Sequence, residues 1–579
     1  MFLYFFEYVI QIFFPGALLA APEIASVATL GPQSTLYVTN EFISPDGFRR
    51  SASVINGVYP APLIIAQKGD NFKLNVANYL SDNTMHRSTS IHWHGVLQRG
   101  GTNWADGAVG VSQCPISPNR SFLYQFNATE PGTFWYHSHY GTQYCDGVRG
   151  ALVVYDPDDP HKTLYDETTV VTLGDWYHIQ SPSLDILPAA DSHLINGKGR
   201  YPRGPLTDLA VVNVEQGKRY RLRIVSISCD AFYTFSIDDH PLTVIEADGE
   251  SVVPVRGIDA LKIFAGQRYS VVLVANQPVG NYWIRSIPPP PDSNAALITF
   301  DEDSLNSAIL RYKGANVHGQ PSTKPTQINI LRETQLHALI NPMAPGKPIE
   351  DGGDKNIHIN LAFDEETQLF KLNGATFIPP KVPVLLQILT GTPPGQLLPE
   401  GSIYWLPRNK SISISIVPGK KDTPHPFHLH GHSFSVVRSA NTPEDPMPGY
   451  NYIDPVRRDT VNLGDADSGS NVTIRFTTDN PGPWIFHCFA FLWITESVMK
   501  SSHIDWHLER GMAIVFAEDP EDVPTVIRPP GKLAVNILLK EFPVLNSFVT
   551  EQWQYLCPIF DNLPASMTSI STVMVLPTS

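Results

Sequence analysis

Residues 482–487 read GPWIFH, and the same short pattern occurs twice more, as GTFWYH at 132–137 and as GNYWIR at 280–285. Each copy begins with glycine, has aromatic residues at its centre and aligns with the other two without a gap. Aromatic residues are enriched in strands, and self-similarity within one chain indicates repeated structural units. The sequence therefore predicts three similar domains built from strands.

A second repeated segment supports the three copies and sets the middle one apart. Residues 427–432 (FHLHGH) align with 235–240 (FSIDDH), and 91–95 (IHWHG) cover the same part of the first copy. Where the outer copies have histidine, the middle copy has Ser236, Asp238 and Arg285. We expect the outer domains to meet at a shared metal site, and the middle domain to bind no metal and to act as a spacer.

Histidine pairs carry most of the functional information. Among 19 histidines in 579 residues, chance gives roughly one His-x-His, yet the chain has four such pairs if His430 and His432 are counted. Residues i and i+2 of a strand point to the same face, so each pair can direct two rings at one place. The other three pairs are His92/His94, His137/His139 and His428/His430.

The last third of the chain adds a thiolate. Cys488 follows His487 directly, so the two side chains point to opposite faces of a strand and can serve two different metal sites. Two imidazoles, one thiolate and a weak thioether suit a blue copper, and His503, His507 and Met512 follow Cys488. Cys488 is therefore the candidate entry point for electrons. Zinc accepts similar ligands and is the alternative, although a structural zinc uses four ligands and not a large cluster of imidazoles.

The composition fits a secreted protein of several β-domains. Charged residues are 17% of the chain, while 51 prolines and 40 glycines indicate many turns between short strands. A net charge of −15 disfavours nucleic acid and anionic membranes as partners. Residues 1–21 are apolar and end in small residues, which predicts a secretory signal peptide and an extracellular location. A membrane anchor is the alternative, because this stretch contains Glu7 and lacks lysine and arginine.

The cysteines and the glycosylation sequons agree with secretion. Five cysteines leave one unpaired or bound to metal. If that one is Cys488, three pairings are possible for Cys114, Cys145, Cys229 and Cys557. Sequons, at which N-glycosylation occurs in the same compartment, are present at Asn119, Asn127, Asn409 and Asn471.

The histidine segments resemble the copper-binding segments of multicopper oxidases, and specifically of fungal laccases, and the resemblance runs from about Gly31 to Pro564. It implies an all-β fold of three cupredoxin-like sandwich or barrel domains, which we place at 22–156, 157–326 and 327–579. It also implies a monomeric enzyme that oxidises small phenolic or aromatic-amine substrates by one electron and reduces dioxygen to water by four, for example in lignin or phenol breakdown.

The resemblance distributes ten histidines and one cysteine over four copper ions. The ligands of the blue type 1 copper would be His425, Cys488, His507 and, weakly, Met512. A thioether ligand lowers the redox potential of such a copper. The ligands of the type 2 copper would be His92 and His428. Those of the coupled type 3 pair would be His94, His137, His139, His430, His487 and His503.

The resemblance also gives roles to residues that are not copper ligands. Asp230 would accept the hydrogen bond of a phenol and take its proton as a general base, while Phe370 or Phe377 would flank the aromatic ring near His507. Asp106 would feed protons to the oxygen-reducing cluster. The remaining cysteines would pair as Cys114–Cys557 and Cys145–Cys229, each bridge tying the first domain to a later one.

Two inserts interrupt the family pattern. Residues 489–502 separate Cys488 from His503, which the family has next to each other, and residues 531–550 precede the final segment. Both are apolar and can be excised to leave an uninterrupted pattern, as expected of retained introns in a conceptual translation, with a genuine loop as the alternative. A ferroxidase, an ascorbate-oxidase-like enzyme and a copper-binding protein inactivated by the first insert remain the other possible functions.

Overall fold

Strands are the main regular elements of the structure, a computed structural model that describes residues 29–183, 190–229, 232–289, 304–325, 329–418, 424–464, 469, 471–488, 508, 510–529, 550–551 and 553–570. Within these ranges the strands form six sheets. The α-helices are short, and in the described part of the chain they are Val384–Leu389, Val523–Val526, Leu556–Asp561 and Ala565–Thr568. One-turn 3-10 helices are Asn103–Ala105, Gln143–Asp146, Lys162–Leu164, Ser181–Ser183, Glu333–Gln335, Pro394–Gln396 and Trp553–Tyr555.

The first domain is a sandwich of two sheets. Its strands are β1 (Thr29–Leu30), β2 (Gln33–Ile43), β3 (Arg50–Ile55), β4 (Ala61–Gln67), β5 (Asn71–Asn78), β6 (His92–His94), β7 (Ser121–Asn127), β8 (Gly132–His137) and β9 (Arg149–Tyr155). One sheet contains β3-β2-β5-β7 and the other β1-β4-β9-β8-β6. Buried side chains of both sheets form one core, for example Leu36 and Phe72 from the first sheet and Ile64 and Leu152 from the second.

The middle domain repeats this arrangement. Its strands are β10 (Glu167–Trp176), β11 (Ser192–Ile195), β12 (Val211–Val214), β13 (Arg219–Ser226), β14 (Phe232–Ile237), β15 (Leu242–Ala247), β16 (Glu250–Ile258), β17 (Ala260–Phe264), β18 (Arg268–Val274), β19 (Asn281–Ile287) and β20 (Ser307–Tyr312). They form the sheets β11-β10-β13-β18-β15-β16 and β12-β20-β19-β14-β17.

The third domain has the same two sheets, β22-β21-β24-β29-β26-β27 and β23-β31-β30-β25-β28. Its strands are β21 (Lys355–Asp364), β22 (Leu369–Leu372), β23 (Ile403–Leu406), β24 (Ser411–Val417), β25 (Pro426–Leu429), β26 (Phe434–Arg438), β27 (Arg457–Arg458), β28 (Thr460–Asn462), β29 (Val472–Thr477), β30 (Gly482–Cys488) and β31 (Ala513–Glu518). The last strand, β32 (Thr550–Glu551), returns to the first domain and pairs with β7 in parallel.

The strand pairing confirms the prediction of an all-β fold with three similar domains. In each copy the first long strand pairs in parallel with a second strand, and that strand pairs antiparallel with a third, as in β2-β5-β7, β10-β13-β18 and β21-β24-β29. The repeated segments also occupy matching registers. The opposed residues are His92 and His137, Ser236 and Arg285, and His428 and His487.

In the middle domain, an ion pair lies at positions where the outer domains have histidines. Nε and one terminal nitrogen of Arg285 each lie 2.8 Å from an oxygen of Asp238, and the Thr323 hydroxyl donates to the same carboxylate at 2.8 Å. Both charged side chains are buried. Two of the three side chains that the sequence alignment placed at metal-ligand positions, Asp238 and Arg285, are therefore bound to each other.

Two disulfides connect the domains. Cys114 bonds Cys557 and Cys145 bonds Cys229, the pairing that the family resemblance implies, and the buried Cys488 takes part in neither bridge. The proposed signal peptide at 1–21, the insert at 489–502, and all of the insert at 531–550 except Thr550 lie outside the described residues. Within the described residues, no helix is long and apolar enough to cross a membrane.

Replacing Arg285 with leucine removes the cation from the buried Asp238 pair. We expect the free energy of unfolding to fall by about 3–5 kcal/mol, because one charge of such a pair is then left uncompensated. Calorimetric thermal unfolding measures the loss. The double variant Asp238→Leu/Arg285→Leu is the control and should recover part of the stability, since neither charge remains. A single variant as stable as the native chain would contradict the expectation.

Candidate metal centre

Imidazoles line the seam between the first and third domains. The strands β6 and β8 supply one half of this lining, and β25 and β30 supply the other. Seven histidines converge there, with ring nitrogens in overlapping groups whose ligand atoms lie within 4.8 Å of one another. They are His92, His94, His137, His139, His428, His430 and His487, each at most 8% exposed.

Hydrogen bonds on the outer side of the rings fix their tautomers. A carbonyl oxygen can only accept, so an Nδ1 that contacts one must carry the ring proton. The inward Nε2 then bears a lone pair, which is the usual arrangement of metal-bound histidine. Such Nδ1 contacts run from His92 to the carbonyl of Asp106 (2.8 Å), from His137 to Ser138 (2.9 Å), from His428 to Asp459 (2.9 Å) and from His487 to Cys488 (3.2 Å).

The inward nitrogens lie at the spacing of ligands that share a metal ion. Nε2 of His487 is 3.1 Å from Nε2 of His430 and 3.4 Å from Nε2 of His139. His430 contacts the Asp106 carboxylate through Nδ1 at 2.8 Å, so the lone pairs of His430 and His487 face each other. Two nitrogens bound to one metal at about 2.0–2.1 Å are separated by roughly this distance. The residues present therefore fit a metal ion held between the rings.

Burial disfavours the protonated form of five of these imidazoles. Loss of hydration lowers the pKa of His139 to about 3, and it holds the pKa of His94, His137, His430 and His487 well below the ordinary value, with neighbouring histidines adding to the effect. Neutral imidazole is the form that binds a metal ion. Protons therefore compete weakly with a metal near neutral pH.

Asp106 touches rings from both domains. It follows the 3-10 helix Asn103–Ala105 and is 1% exposed. One carboxylate oxygen lies 2.8 Å from Nδ1 of His430, and the other lies 3.3 Å from Nδ1 of His92. Asp106 therefore orients one imidazole of each domain, His430 through its carboxylate and His92 through its backbone carbonyl, and the sequence could not indicate these contacts.

Asp459 is a second acid at the seam, and no motif in the sequence indicated it. Its Oδ1 lies 3.1 Å from Nε2 of His94 and 3.4 Å from Nδ1 of His428. Burial alone would raise the pKa of Asp459, but the Arg268 guanidinium holds it well below the usual range. The only sequence signal was the charged run that begins at Arg457, and such a run more often indicates a solvated turn.

The opposite face of β30 presents a second group of candidate ligands. Cys488 Sγ lies 3.6 Å from Nδ1 of His425, and both residues are buried. Burial lowers the pKa of His425 to about 4. Met512 is fully buried in the same core, and its carbonyl oxygen accepts the Cys488 N–H at 3.2 Å. His503 and His507, the other predicted ligands of this segment, lie outside the described residues.

The predicted substrate residues are only partly described. Phe370 is buried, and its ring centroid lies 6.3 Å from that of His425. Phe377 is buried in a different cluster, together with Ile485. Asp230 lies outside the described residues. The sequon residues Asn119, Asn127 and Asn409 are exposed, and Asn471 is half-buried.

Models of the multicopper oxidase family match residues 37–159, 167–315 and 377–522. The chain belongs to the multicopper oxidase family. Laccase-1 of Pleurotus ostreatus is 49% identical over 574 residues, which cover 96% of this chain and 99% of that protein. The laccase structure of Botrytis aclada matches with a TM-score of 0.69 and 29% identity, covering 86% of this chain and 90% of that one. Fet3p, a multicopper oxidase that functions in iron import, matches with a TM-score of 0.69 and 27% identity, covering 86% and 92%.

These comparisons confirm three predictions made from the sequence: the family, the cupredoxin-like fold class and a laccase-type enzymatic function. The relatives are laccases of nearly the same length, and about half of their residues are identical to this chain. Copper is the metal of this family, and the buried histidine clusters of the seam offer the imidazole ligands that copper accepts.

Replacing Asp106 with alanine removes the carboxylate that accepts from Nδ1 of His430, whereas His92 keeps the backbone carbonyl of residue 106 as its acceptor. We expect the chain to bind the copper held by His430 about 10- to 100-fold more weakly, because this imidazole loses the group that orients it. Copper per chain after dialysis against graded concentrations of a chelator measures the change. The exposed Asp158 is the matched control, and Asp158→Ala should retain copper normally. Equal retention by both variants would remove Asp106 from this role.

Proposed function

We propose that the protein binds four copper ions and couples the one-electron oxidation of small phenolic or aromatic-amine substrates to the four-electron reduction of dioxygen to water. The proposal depends on the two residues that end strand β30. His487 is one of the seven buried imidazoles of the seam, while Cys488 lies on the opposite face of the strand, beside His425. One strand can then join a substrate-oxidising site to an oxygen-reducing site through adjacent residues.

The ligands follow the family pattern. His425, Cys488 and His507 hold the type 1 copper, with Met512 as the weak ligand. His92 and His428 hold the type 2 copper. The type 3 pair is held by His94, His137, His139, His430, His487 and His503. Bound copper supplies reversible one-electron chemistry at the thiolate and the stored electrons that reduce dioxygen.

The protein's own groups manage protons. Asp106 is buried at the cluster and contacts Nδ1 of His430 at 2.8 Å, so its carboxylate can take up a proton and deliver it within the seam. On the substrate side, Asp230 acts as the base that accepts the phenolic proton, and Phe370, Phe377 and His507 line the approach of the ring.

Disulfide Cys145–Cys229 and a buried ion pair hold the segment that leads to Asp230. The Cys229 N–H donates to both oxygens of Asp175, at 3.0 and 2.8 Å, and Arg149 binds the same carboxylate at 2.9 Å. A base that must meet a substrate needs such a fixed support. The secreted location, the glycosylation of the four sequons, the monomeric state and the domain boundaries near residues 156 and 326 are part of the same proposal.

A second candidate function is supported by the insert at 489–502. The insert separates Cys488 from the two histidines that complete the proposed sites. If those histidines do not reach the metal, the chain is a copper-binding protein without oxidase activity. It then binds copper through its other ligands and oxidises no phenol.

Cys488→Ser, made in the chain that lacks residues 489–502, removes only the thiolate of the type 1 site. We expect the intense blue absorption and phenol oxidation to be lost while about three coppers per chain remain, because the imidazoles of the seam are unchanged. Visible absorption, copper analysis and oxygen uptake with a phenol measure the three quantities. Unchanged blue absorption would contradict the assignment of Cys488.

Deleting residues 489–502 brings His503 directly after Cys488. We expect the chain as written to give little active four-copper enzyme and the deleted chain to be blue and to reduce oxygen, because His503 and His507 return to the family spacing. Copper content and oxygen uptake with phenol, Fe(II) and ascorbate separate the laccase from the two other oxidase activities.

The matched control deletes residues 531–549 and keeps the first insert. That variant should stay inactive, because the second insert does not separate metal ligands. Full copper and normal turnover by the complete chain, with the first insert verified by mass spectrometry, would show that the retained-intron interpretation is wrong.

A further inference from the structure

The middle domain reaches the metal centre through one turn. Gly266 lies between β17 and β18 with a φ of +82°, and a Cβ there would come within 3.0 Å of Cε1 of His94. Nε2 of Gln267 donates to the carbonyl of Thr460 in the third domain at 3.0 Å. The turn therefore lies against the first-domain and third-domain sides of the seam, so the middle domain, predicted to act as a spacer, also contacts residues of the metal centre.

Arg268 is the charged residue of this turn, and every nitrogen of its guanidinium is used. The two terminal nitrogens bind the two oxygens of Asp459 at 2.7 and 2.6 Å. Nε donates to the carbonyl of Thr133 in the first domain at 2.9 Å, and one terminal nitrogen also donates to the carbonyl of Gly266 at 3.0 Å. Arg268 is fully buried. A planar guanidinium bound in this way fixes both the position and the rotation of the carboxylate.

The carboxylate in turn lies against two candidate ligands from different domains. Asp459 Oδ1 is 3.1 Å from Nε2 of His94 and 3.4 Å from Nδ1 of His428, and the Asp459 carbonyl accepts from that same Nδ1 at 2.9 Å. We propose that Arg268 is a positioning residue that the middle domain contributes to the copper cluster, acting on His94 and His428 through Asp459. The inference rests on the proposed four-copper function.

A second ion pair holds Arg268 from behind. The backbone N–H of Arg268 donates to Asp248 Oδ1 at 2.7 Å. The other oxygen of this carboxylate, Asp248 Oδ2, binds Nε of Arg458 at 2.9 Å. Arg458 continues to Glu333 at 2.6 Å. Arginine stays protonated in proteins, so this chain of alternating charges cannot pass protons to the cluster. Its effect is to hold Asp459 as an anion in a fixed place.

The middle domain offers a matched control of the same chemistry. Arg285 also binds a buried carboxylate through two nitrogens, at 2.8 and 2.8 Å from Asp238. Neither Arg285 nor Asp238 belongs to the metal-ligand groups of the described residues. Variants of Arg285 therefore reproduce the cost of breaking a buried ion pair without touching the seam.

The experiment compares copper-loaded enzyme carrying Arg268→Gln, Arg268→Lys, Arg285→Gln or Arg285→Lys with the unsubstituted enzyme. All five proteins are made in the form of the chain, complete or lacking residues 489–502, that binds four coppers. For Arg268→Gln we expect type 2 copper to be lost to a chelator about 10- to 100-fold more readily, with an altered hyperfine splitting in its electron paramagnetic resonance spectrum and unchanged blue absorption. For Arg268→Lys we expect a loss of type 2 copper between that of Arg268→Gln and that of the unsubstituted enzyme, because one ammonium keeps the positive charge but cannot bind both carboxylate oxygens in the planar manner of a guanidinium. The Arg285 variants should unfold at lower temperature with the unsubstituted spectrum.

An unsubstituted spectrum and normal copper retention in Arg268→Gln would overturn the inference, as would equal spectral changes in the Arg285 variants. If Arg268→Gln does not fold, the same comparison between Arg268→Lys and Arg285→Lys decides. An unsubstituted enzyme without four coppers would instead refute the proposed function, and this inference with it.

Discussion

Lone pairs of buried imidazoles that face one another are the interaction on which the rest of this structure depends. Nε2 of His487 lies 3.1 Å from Nε2 of His430, and each ring carries its proton on the other nitrogen. The contact is favourable only with a cation between the rings. His139 belongs to the first domain and His487 to the third, so a cation bound between them would draw ligands from two domains. Metal binding would then be thermodynamically linked to the packing of the outer domains on each other.

The middle domain shows what the same strand register does without metal. Opposed strand positions that hold His428 and His487 in the third domain hold Ser236 and Arg285 in the middle one. A buried arginine needs a carboxylate that satisfies its planar donors. Asp238, two residues after Ser236 and just past the end of β14, supplies this carboxylate. The domain repeats the fold but has exchanged neutral ligands for an ion pair. It keeps contact with the seam through a different turn, the one that carries Arg268.

The sequence was sufficient for features that depend on local periodicity. The three copies, the i, i+2 histidine pairs and the opposed directions of His487 and Cys488 all follow from the two-residue repeat of a strand. Asp459 and Arg268 could not be found in this way, because they meet across 191 residues of chain and their meaning arises only in the packed seam. The cysteine count left three pairings open for the same reason, since the distance between cysteines is set by tertiary structure.

The fold and the completion of the metal sites depend on different parts of the chain near Cys488. The Cys488 N–H binds the carbonyl of Met512, and His487 stands opposite Ala513 in the sheet. The chain that leaves β30 therefore returns beside it whatever the length between, and the entropy cost of a longer connection grows only as about (3/2)RT ln n. The sandwich can tolerate an insert at this point. The last proposed ligands, His503 and His507, belong to that same connection. A chain can therefore keep the third domain and its other histidines while the proposed type 1 site lacks His507 and the proposed type 3 site lacks His503.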